Sequence, residues 1–428
     1  MHLRSASCIL GVMALSLRSA RTASPEAEIS PVSSLVQNKR VAEALAAIDQ
    51  LGVWTTEQQI RLTEIPAPTF QESARGEAIR KLFASARLRT RTDSAGNVIG
   101  ERPGVSRREA ILISAHLDTV FPQGTCTKVQ RDGRRLTAPG ISDNGTGLAA
   151  LACLARALHI AKLRTHLTLL FAANPCEEGE GNLRGMRKLT ETFRGRLRAV
   201  IAVDGAATDH ITTMALASRR VEIALCGSGG HSWADFGMPN PAHALARGIT
   251  KFLSIRVPDS PRTTFNVGVI QAGTAVNTIC GRAVAKVDMR SESAAELDRL
   301  EAALRKSIES GVGEEMTAAA QAGHTTDPRI EIAYRTLGER PGGELPADAP
   351  LLEAIRQADR YLNNQSRLER SSTDANIPLS LGIPAIAVGG GGRSGGAHSP
   401  CEWYDPTCRE LGVKRILLTV LALSGVEP

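Results

Sequence analysis

An apolar run, LTLLFAA (Leu167–Ala173), ends abruptly in NPCEEGEG (Asn174–Gly181). Seven uncharged residues of this kind predict a strand buried on both faces, which calls for helices above and below a mostly parallel sheet. Two adjacent carboxylates, Glu177 and Glu178, follow where the strand stops and glycines begin. Neighbouring residues of a strand point to opposite faces. Both acids therefore serve one site only if the backbone turns here, as Gly179 and Gly181 would permit. Paired acids at a strand end suit a division of labour in which one carboxylate holds a metal and the other moves a proton. On their own they read more readily as a solvated loop.

The other strand ends remove that ambiguity. ILISAHLDTV (Ile111–Val120) is predicted as a strand that turns polar at His116 and Asp118. These lie two apart and so on one face, where the carboxylate of Asp118 can fix the imidazole tautomer of His116. In GISDNGTG, Asp143 sits in a glycine-rich turn before a helix that starts near Gly147. A helix start brings free N–H groups and positive dipole to its surroundings. The apolar stretch Val200–Val203 ends at Asp204, and PAIAV runs through GGGGRSGG to His398. No GK[ST] follows those glycines, so they predict a flexible loop delivering His398 rather than a phosphate cradle. Open α/β sheets place their sites at the carboxyl ends of strands, and the three strands ending at His116 and Asp118, at Glu177 and Glu178, and at Asp204 follow that rule.

Five carboxylates in one cavity, Asp118, Asp143, Glu177, Glu178 and Asp204, repel one another unless cations neutralise them. His116 and His398 frame them. A His, Asp and Glu donor set without thiolates suits zinc, or cobalt or manganese, in a hydrolytic site. One bridging carboxylate would make it dinuclear.

From about Arg219 the texture changes to strand, helix, two strands, a long helix and a last strand, the βαββαβ order of a ferredoxin-like unit. Site residues lie on both sides of it, so it is predicted as an insertion. The expected organisation is a first catalytic segment over 37–217, a lid over 218–342 and a second catalytic segment over 343–428. With 428 residues the chain is long enough for two domains. Its net charge of +7 is scattered rather than ranked along a face, and aromatics make up 3%. Both features argue against a nucleic-acid partner. Residues 1–24 have early basic residues and a short apolar run like a signal peptide, pointing to an exported protein, periplasmic or secreted; without cleavage there, a cytoplasmic one. The run is too short to span a membrane. None of the eight cysteines forms a CxxC pair, which excludes a zinc ribbon. Cys401 and Cys408 are a possible pair only in an exported protein.

The motifs SAHLDTV, GISDNGTG, CEEGEGNL, VDGA and GGAHSPCEWYD, taken in order, resemble those of the dinuclear zinc metallopeptidase family that includes peptidase T, carboxypeptidase G, aminoacylase and succinyl-diaminopimelate desuccinylase. The resemblance extends from about Val41 to the end and is nearest to the peptidase-T-like branch. It implies two zinc ions per subunit, one on His116 and Asp204, the other on Glu178 and His398, with Asp143 as the bridge. It also implies Glu177 as general base and Asp118 as orienter of His116. GSGGHSWADFG, GTAVNT and VDMR resemble the family's lid motifs, which makes His231, Asn277 and Arg290 substrate-binding residues. It further implies a homodimer through the lid, with His231 reaching into the partner's site. Asp374, in SSTDAN, is offered as the partner of a substrate's free ammonium. Cys176 stands where many relatives have glycine and is read as a buried neutral thiol. The expected substrate is a short peptide; the alternative is an N-acyl amino acid.

Overall fold

In the computed structural model, residues 29–324 and 329–427 are described. The proposed signal peptide, with Cys8, falls outside them. Among the described residues, no helix is long and apolar enough to cross a membrane.

The main sheet centres on four parallel strands in the order Leu167–Asn174, Ser106–His116, Leu197–Val203 and Ala385–Val388. Leu167–Asn174 is buried along its whole length, as its uninterrupted apolar sequence requires. A hairpin, Arg89–Thr92 with Val98–Arg102, extends one edge in antiparallel fashion. His210–Ala215 closes the other edge, itself flanked by Arg367–Ser371 and Gly343–Glu344. Register aligns the strand ends: His116 pairs with Asn174, Ser114 with Ala202, and Val388 with Val203. His116, the Glu pair, Asp204 and the glycine segment therefore leave the sheet at one level.

Two helices, Lys39–Gln50 and Gly52–Thr63, lie ahead of the hairpin. Before them lies a helical turn, Val32–Leu35, with Val32 and Leu35 buried in the core. Helix Gly145–Ile160 is buried over most of its length. Asn144 caps it by accepting from Gly147 N–H at 3.0 Å, and donates from Nδ2 to the Val203 carbonyl at 2.8 Å. That second bond ties the Asp143 turn to the strand that ends at Asp204.

The inserted domain is a four-stranded antiparallel sheet in the order Thr263–Ala272, Arg282–Ser291, Ala217–Cys226, Glu331–Arg340. Helices Pro241–Leu253 and Ala294–Gln321 pack on it around a core of their own, separate from that of the main sheet. This is the predicted ferredoxin-like order.

A small sheet was not foreseen. Gln130–Asp132, Arg135–Thr137, Trp403–Asp405 and Arg393–Gly395 pair beside the site. The glycines expected to be a flexible loop are instead packed tightly. A Cβ on Gly391 would lie 2.1 Å from the Arg409 carbonyl oxygen, and one on Gly392 2.3 Å from the Tyr404 hydroxyl. Both have φ near +95°, at 94° and 98°. Close approach and backbone sign, not mobility, require glycine there. Cys401 and Cys408 are both free and exposed.

Candidate active site

The turn that brings both carboxylates to one side begins three residues before Gly179, the first glycine expected to make it. Cys176, with φ 61°, reverses the chain before Glu177. A left-handed backbone is easiest for glycine, yet here a cysteine carries it. The cysteine is held by Glu72, whose Oε1 accepts from Cys176 N–H at 3.1 Å and lies 3.2 Å from Sγ. Burial and the neighbouring Glu72 carboxylate push the thiol up to about 12, so it is a neutral thiol.

Asp143 stands at the centre. Its Oδ1 is 3.0 Å from His116 Nε2, and its Oδ2 is 3.1 Å from His398 Nε2. Asp204 Oδ1 lies 3.7 Å from the same His116 nitrogen, and Glu178 Oε1 lies 3.0 Å from the same His398 nitrogen. Two triads result, His116–Asp143–Asp204 and Asp143–Glu178–His398, each with its donor atoms within 4.8 Å of one another. Asp143 belongs to both. Its Oδ1 is buried and, despite the short distance to His116, makes no contact of hydrogen-bonding geometry among the described residues. Burial opposes charge on His116, but Asp118, Asp143 and Asp204 drive its pKa well above the ordinary imidazole value. Hydrogen bonds to Asp143 and Glu178 raise that of His398 to about 10. The lone pairs around Asp143 thus attract positive charge strongly.

Asp118 works differently from the expectation. The His116 Nδ1 contact at 3.0 Å is with the main-chain carbonyl of Asp118; the carboxylate is farther, at 3.6 Å. The carboxylate instead accepts from the backbone N–H groups of Glu177 and Glu178, each at 2.9 Å, and from Thr69 Oγ1 at 2.9 Å. It fixes the acidic turn as much as the histidine. A similar role, unread in the sequence, belongs to Glu402. Fully buried, it accepts from the backbone N–H groups of Gly140 at 3.0 Å and of Ser142 and Asp143 at 2.7 Å. It holds the Asp143 turn in shape.

Glu177 is buried, and burial raises its pKa well above the ordinary value, while Arg340 pulls it down and Glu178 pushes it up again. Arg340 Nη1 donates to Glu177 Oε1 at 2.9 Å. No sequence motif pointed to Arg340.

A cavity of about 330 Å³ opens over these groups. Arg220, Arg290 and Arg340 line it, as do His210 and Glu369. Arg290 Nε is bonded to Asp288 at 2.8 Å, and Arg220 Nε to the other oxygen of Asp288 at 3.0 Å. Asp374 does not face substrate as expected. It is buried beneath the cavity, accepting from Asn174 Nδ2 at 2.7 Å, and burial raises its pKa to about 6. His231 and Asn277 are neighbours of each other, since Ser232 N–H donates to the Asn277 carbonyl at 3.1 Å, but neither lines the cavity of its own subunit.

Comparison with known proteins gives the same answer from several directions. The family model "Peptidase family M20/M25/M40" matches residues 112–422. The Bacillus subtilis (strain 168) protein YqjE is 23% identical over 352 residues, covering 78% of this chain and 89% of its own. Acetylornithine deacetylase of Edwardsiella ictaluri (strain 93-146) is 25% identical over 311 residues, covering 69% and 75%. Among solved structures, aminopeptidase PepT of Bacillus cereus ATCC 10987 superposes with a TM-score of 0.66 at 18% identity, covering 86% of this chain and 98% of its own. The YXEP protein of Bacillus subtilis, a dinuclear metal-binding peptidase, superposes with a TM-score of 0.61 at 18% identity, covering 88% and 99%. These two structures share the fold, including the inserted domain.

Proposed function

Because the chain belongs to peptidase family M20/M25/M40, we propose that it hydrolyses the amide bonds of short peptides at a pair of zinc ions, with cobalt or manganese as substitutes. The reading rests on one observation above all: Asp143 presents one oxygen to His116 and the other to His398, beside a buried Glu177 in the same cavity. The buried Oδ1 of Asp143, lacking a hydrogen bond among the described residues, and the thiolate-free donor set fit a divalent cation on each side. In this reading His116 and Asp204 would hold one, Glu178 and His398 would hold the other, and Asp143 would serve both.

Two such cations supply Lewis acidity and a water of lowered pKa. With Oε1 of Glu177 committed to Arg340, Oε2 is the atom that takes the water proton and returns it to the leaving amine. Arg290, aimed by Asp288, binds the substrate's carboxylate. Glu369, rather than the buried Asp374, is the wall acid that meets a free ammonium. That pairing of a cation and an anion on one cavity favours free peptides over N-acyl amino acids.

The division into 37–217 with 343–428 as the catalytic part and 218–342 as the lid belongs to the same reading, as does a homodimer through the lid. His231 and Asn277 lie beside exposed apolar side chains, Trp233, Phe236 and Val276. A second subunit covering that edge would take these side chains from water and carry His231 and Asn277 to its own cavity, where they donate to the developing oxyanion.

The test is a hydrolysis panel of dipeptides, tripeptides and acetylated or succinylated amino acids with zinc, cobalt or manganese. Free peptides should be cleaved fastest. Acylated amino acids cleaved far faster than any peptide would replace this reading with an N-acyl amino acid amidohydrolase, an activity closer to the deacetylase relative.

A further inference from the structure

We propose that Arg340 is the positioning residue for Glu177, so that the proton carrier is held in working geometry by the inserted domain rather than by the main domain alone. The proposal rests on reading Glu177 as the group that moves the proton.

Arg340 is the last residue of the inserted domain's final strand, in register with Ser218 on the strand that enters that domain. It thus sits where the two crossings between the domains lie side by side. Its side chain is 5% exposed and that of its partner Glu177 belongs to a residue 4% exposed. Nη1 donates to Glu177 Oε1 at 2.9 Å and to Ser372 Oγ at 3.1 Å, and Nη2 donates to the main-chain carbonyl of the same Glu177. One guanidinium therefore grips both the backbone and the carboxylate of a single residue. A planar fork fixes direction as well as charge. It removes the rotational freedom of Glu177, occupies Oε1 and leaves Oε2 for chemistry.

The neighbouring contacts point the same way. On the turn that carries the acids, Glu339 N–H donates to Asn182 Oδ1 at 2.9 Å and Lys286 Nζ pairs with Glu180 at 3.1 Å. Arg187 donates to the Glu339 carbonyl, and Arg220 to the Gly179 carbonyl. Asp118 holds the backbone N–H groups of Glu177 and Glu178 from the main-domain side. The turn is clamped between the two domains, and Arg340 is the member of the clamp that reaches the reacting carboxylate. Without it, Glu177 would face Glu178 with no guanidinium opposite, and a buried carboxylate in that position rotates away or takes a proton.

Steady-state kinetics, metal analysis and thermal melting of Arg340→Ala, Arg340→Lys, Glu177→Gln and the double variant Glu177→Gln/Arg340→Ala test this. Arg340→Ala should lower kcat about 10²-fold, the loss that a small misplacement of a reacting group brings. KM should stay within about three-fold, because uniform substrate binding is untouched, and two metals should remain bound. Guanidinium ion added to Arg340→Ala should restore part of kcat. Arg340→Lys, which keeps charge without the fork, should fall between wild type and Arg340→Ala, and it carries the comparison if Arg340→Ala does not fold. The double variant should be no slower than Glu177→Gln, since the two residues act as one unit. A raised KM with unchanged kcat would make Arg340 a substrate-binding residue and overturn the proposal, as would additive losses in the double variant or loss of metal. Full activity in Glu177→Gln sinks the proton-carrier reading and this proposal together. An inactive Glu177→Gln beside unimpaired Arg340 variants sinks this proposal alone.

Discussion

The two sheets of this protein solve the same burial problem in opposite ways. The main sheet is covered on both faces, so the buried lengths of its central strands are largely apolar, and charged residues lie near where the strands begin or run out. The inserted sheet is covered by helices on one face, so its strands alternate and keep charged residues along their length, as in Glu331–Arg340 and Ala217–Cys226. The main sheet accordingly gathers the carboxylates and histidines at one edge, on backbone fixed by register. The inserted sheet contributes guanidiniums, Arg220, Arg290 and Arg340, from strand interiors and ends. If this contrast holds, damage at the main sheet's edge abolishes chemistry, and damage on the inserted sheet changes how substrate or Glu177 is held.

The largest expected effect is on the main-sheet side. Chelation should abolish activity, and zinc should restore it at two ions per subunit. Full activity with one ion or none, measured by metal analysis alongside rate, would break the dinuclear reading. Next comes Glu177→Gln, which should lower kcat by about 10²–10⁴-fold, the usual contribution of a general base, with both metals retained. Glu178→Gln should instead lose metal, and the reverse outcome would exchange their roles.

On the inserted-sheet side, Arg290→Ala should raise KM for free peptides by about 10–100-fold, the worth of a charge-assisted hydrogen bond, and change little for C-terminal amides. An equal effect on both would remove Arg290 from carboxylate recognition. Mixing His231→Ala protein with Glu177→Gln protein sharpens the contrast further. If His231 serves the partner's cavity, a mixed dimer has one site with both residues intact, and activity should reappear. No recovery after confirmed subunit exchange would return His231 to its own subunit.

The smallest effect is on stability in chelated protein. The pKa of His398 is raised from 6.5 to about 10 by Asp143 and Glu178. A raised folded-state value means that this contribution is complete below pH 6.5 and disappears as pH rises through about 10. The melting temperature of chelated protein should therefore fall over that window, and less so in His398→Gln. The gain in melting temperature on adding zinc should grow over the same range, because the cation requires neutral imidazole. A chelated protein that becomes more stable with rising pH would contradict the pairing.

The residues that gather around Asp143 were legible because each ends an apolar run, and an apolar run that stops at a His, Asp or Glu is a local signal. His116, Glu177, Glu178 and Asp204 all carry it. The ferredoxin-like order was legible from the succession of strand-like and helix-like segments. What escaped depends on partners distant in sequence. Arg340 reaches Glu177 across 163 positions, and Glu402 reaches Gly140 across 262. Nothing in ERPG or CEWY announces either bond. Asp374 was offered from the likeness of SSTDAN to a substrate-side segment, whereas the fold turns its aspartate inward to Asn174. The glycines before His398 misled in the other direction, since a composition typical of slack chain also fits a backbone with no room for a Cβ.

Glu402 carries one more consequence, for the order of events during synthesis. The Asp143 turn leaves the ribosome long before the residue that fills its three N–H groups. His398 is equally late. Until residues near 400 emerge, the turn on which both triads depend lacks the carboxylate that fixes it. A chain interrupted before that point also lacks helix Arg409–Ser424, whose Val413, Ile416 and Leu417 belong to the core of the main sheet.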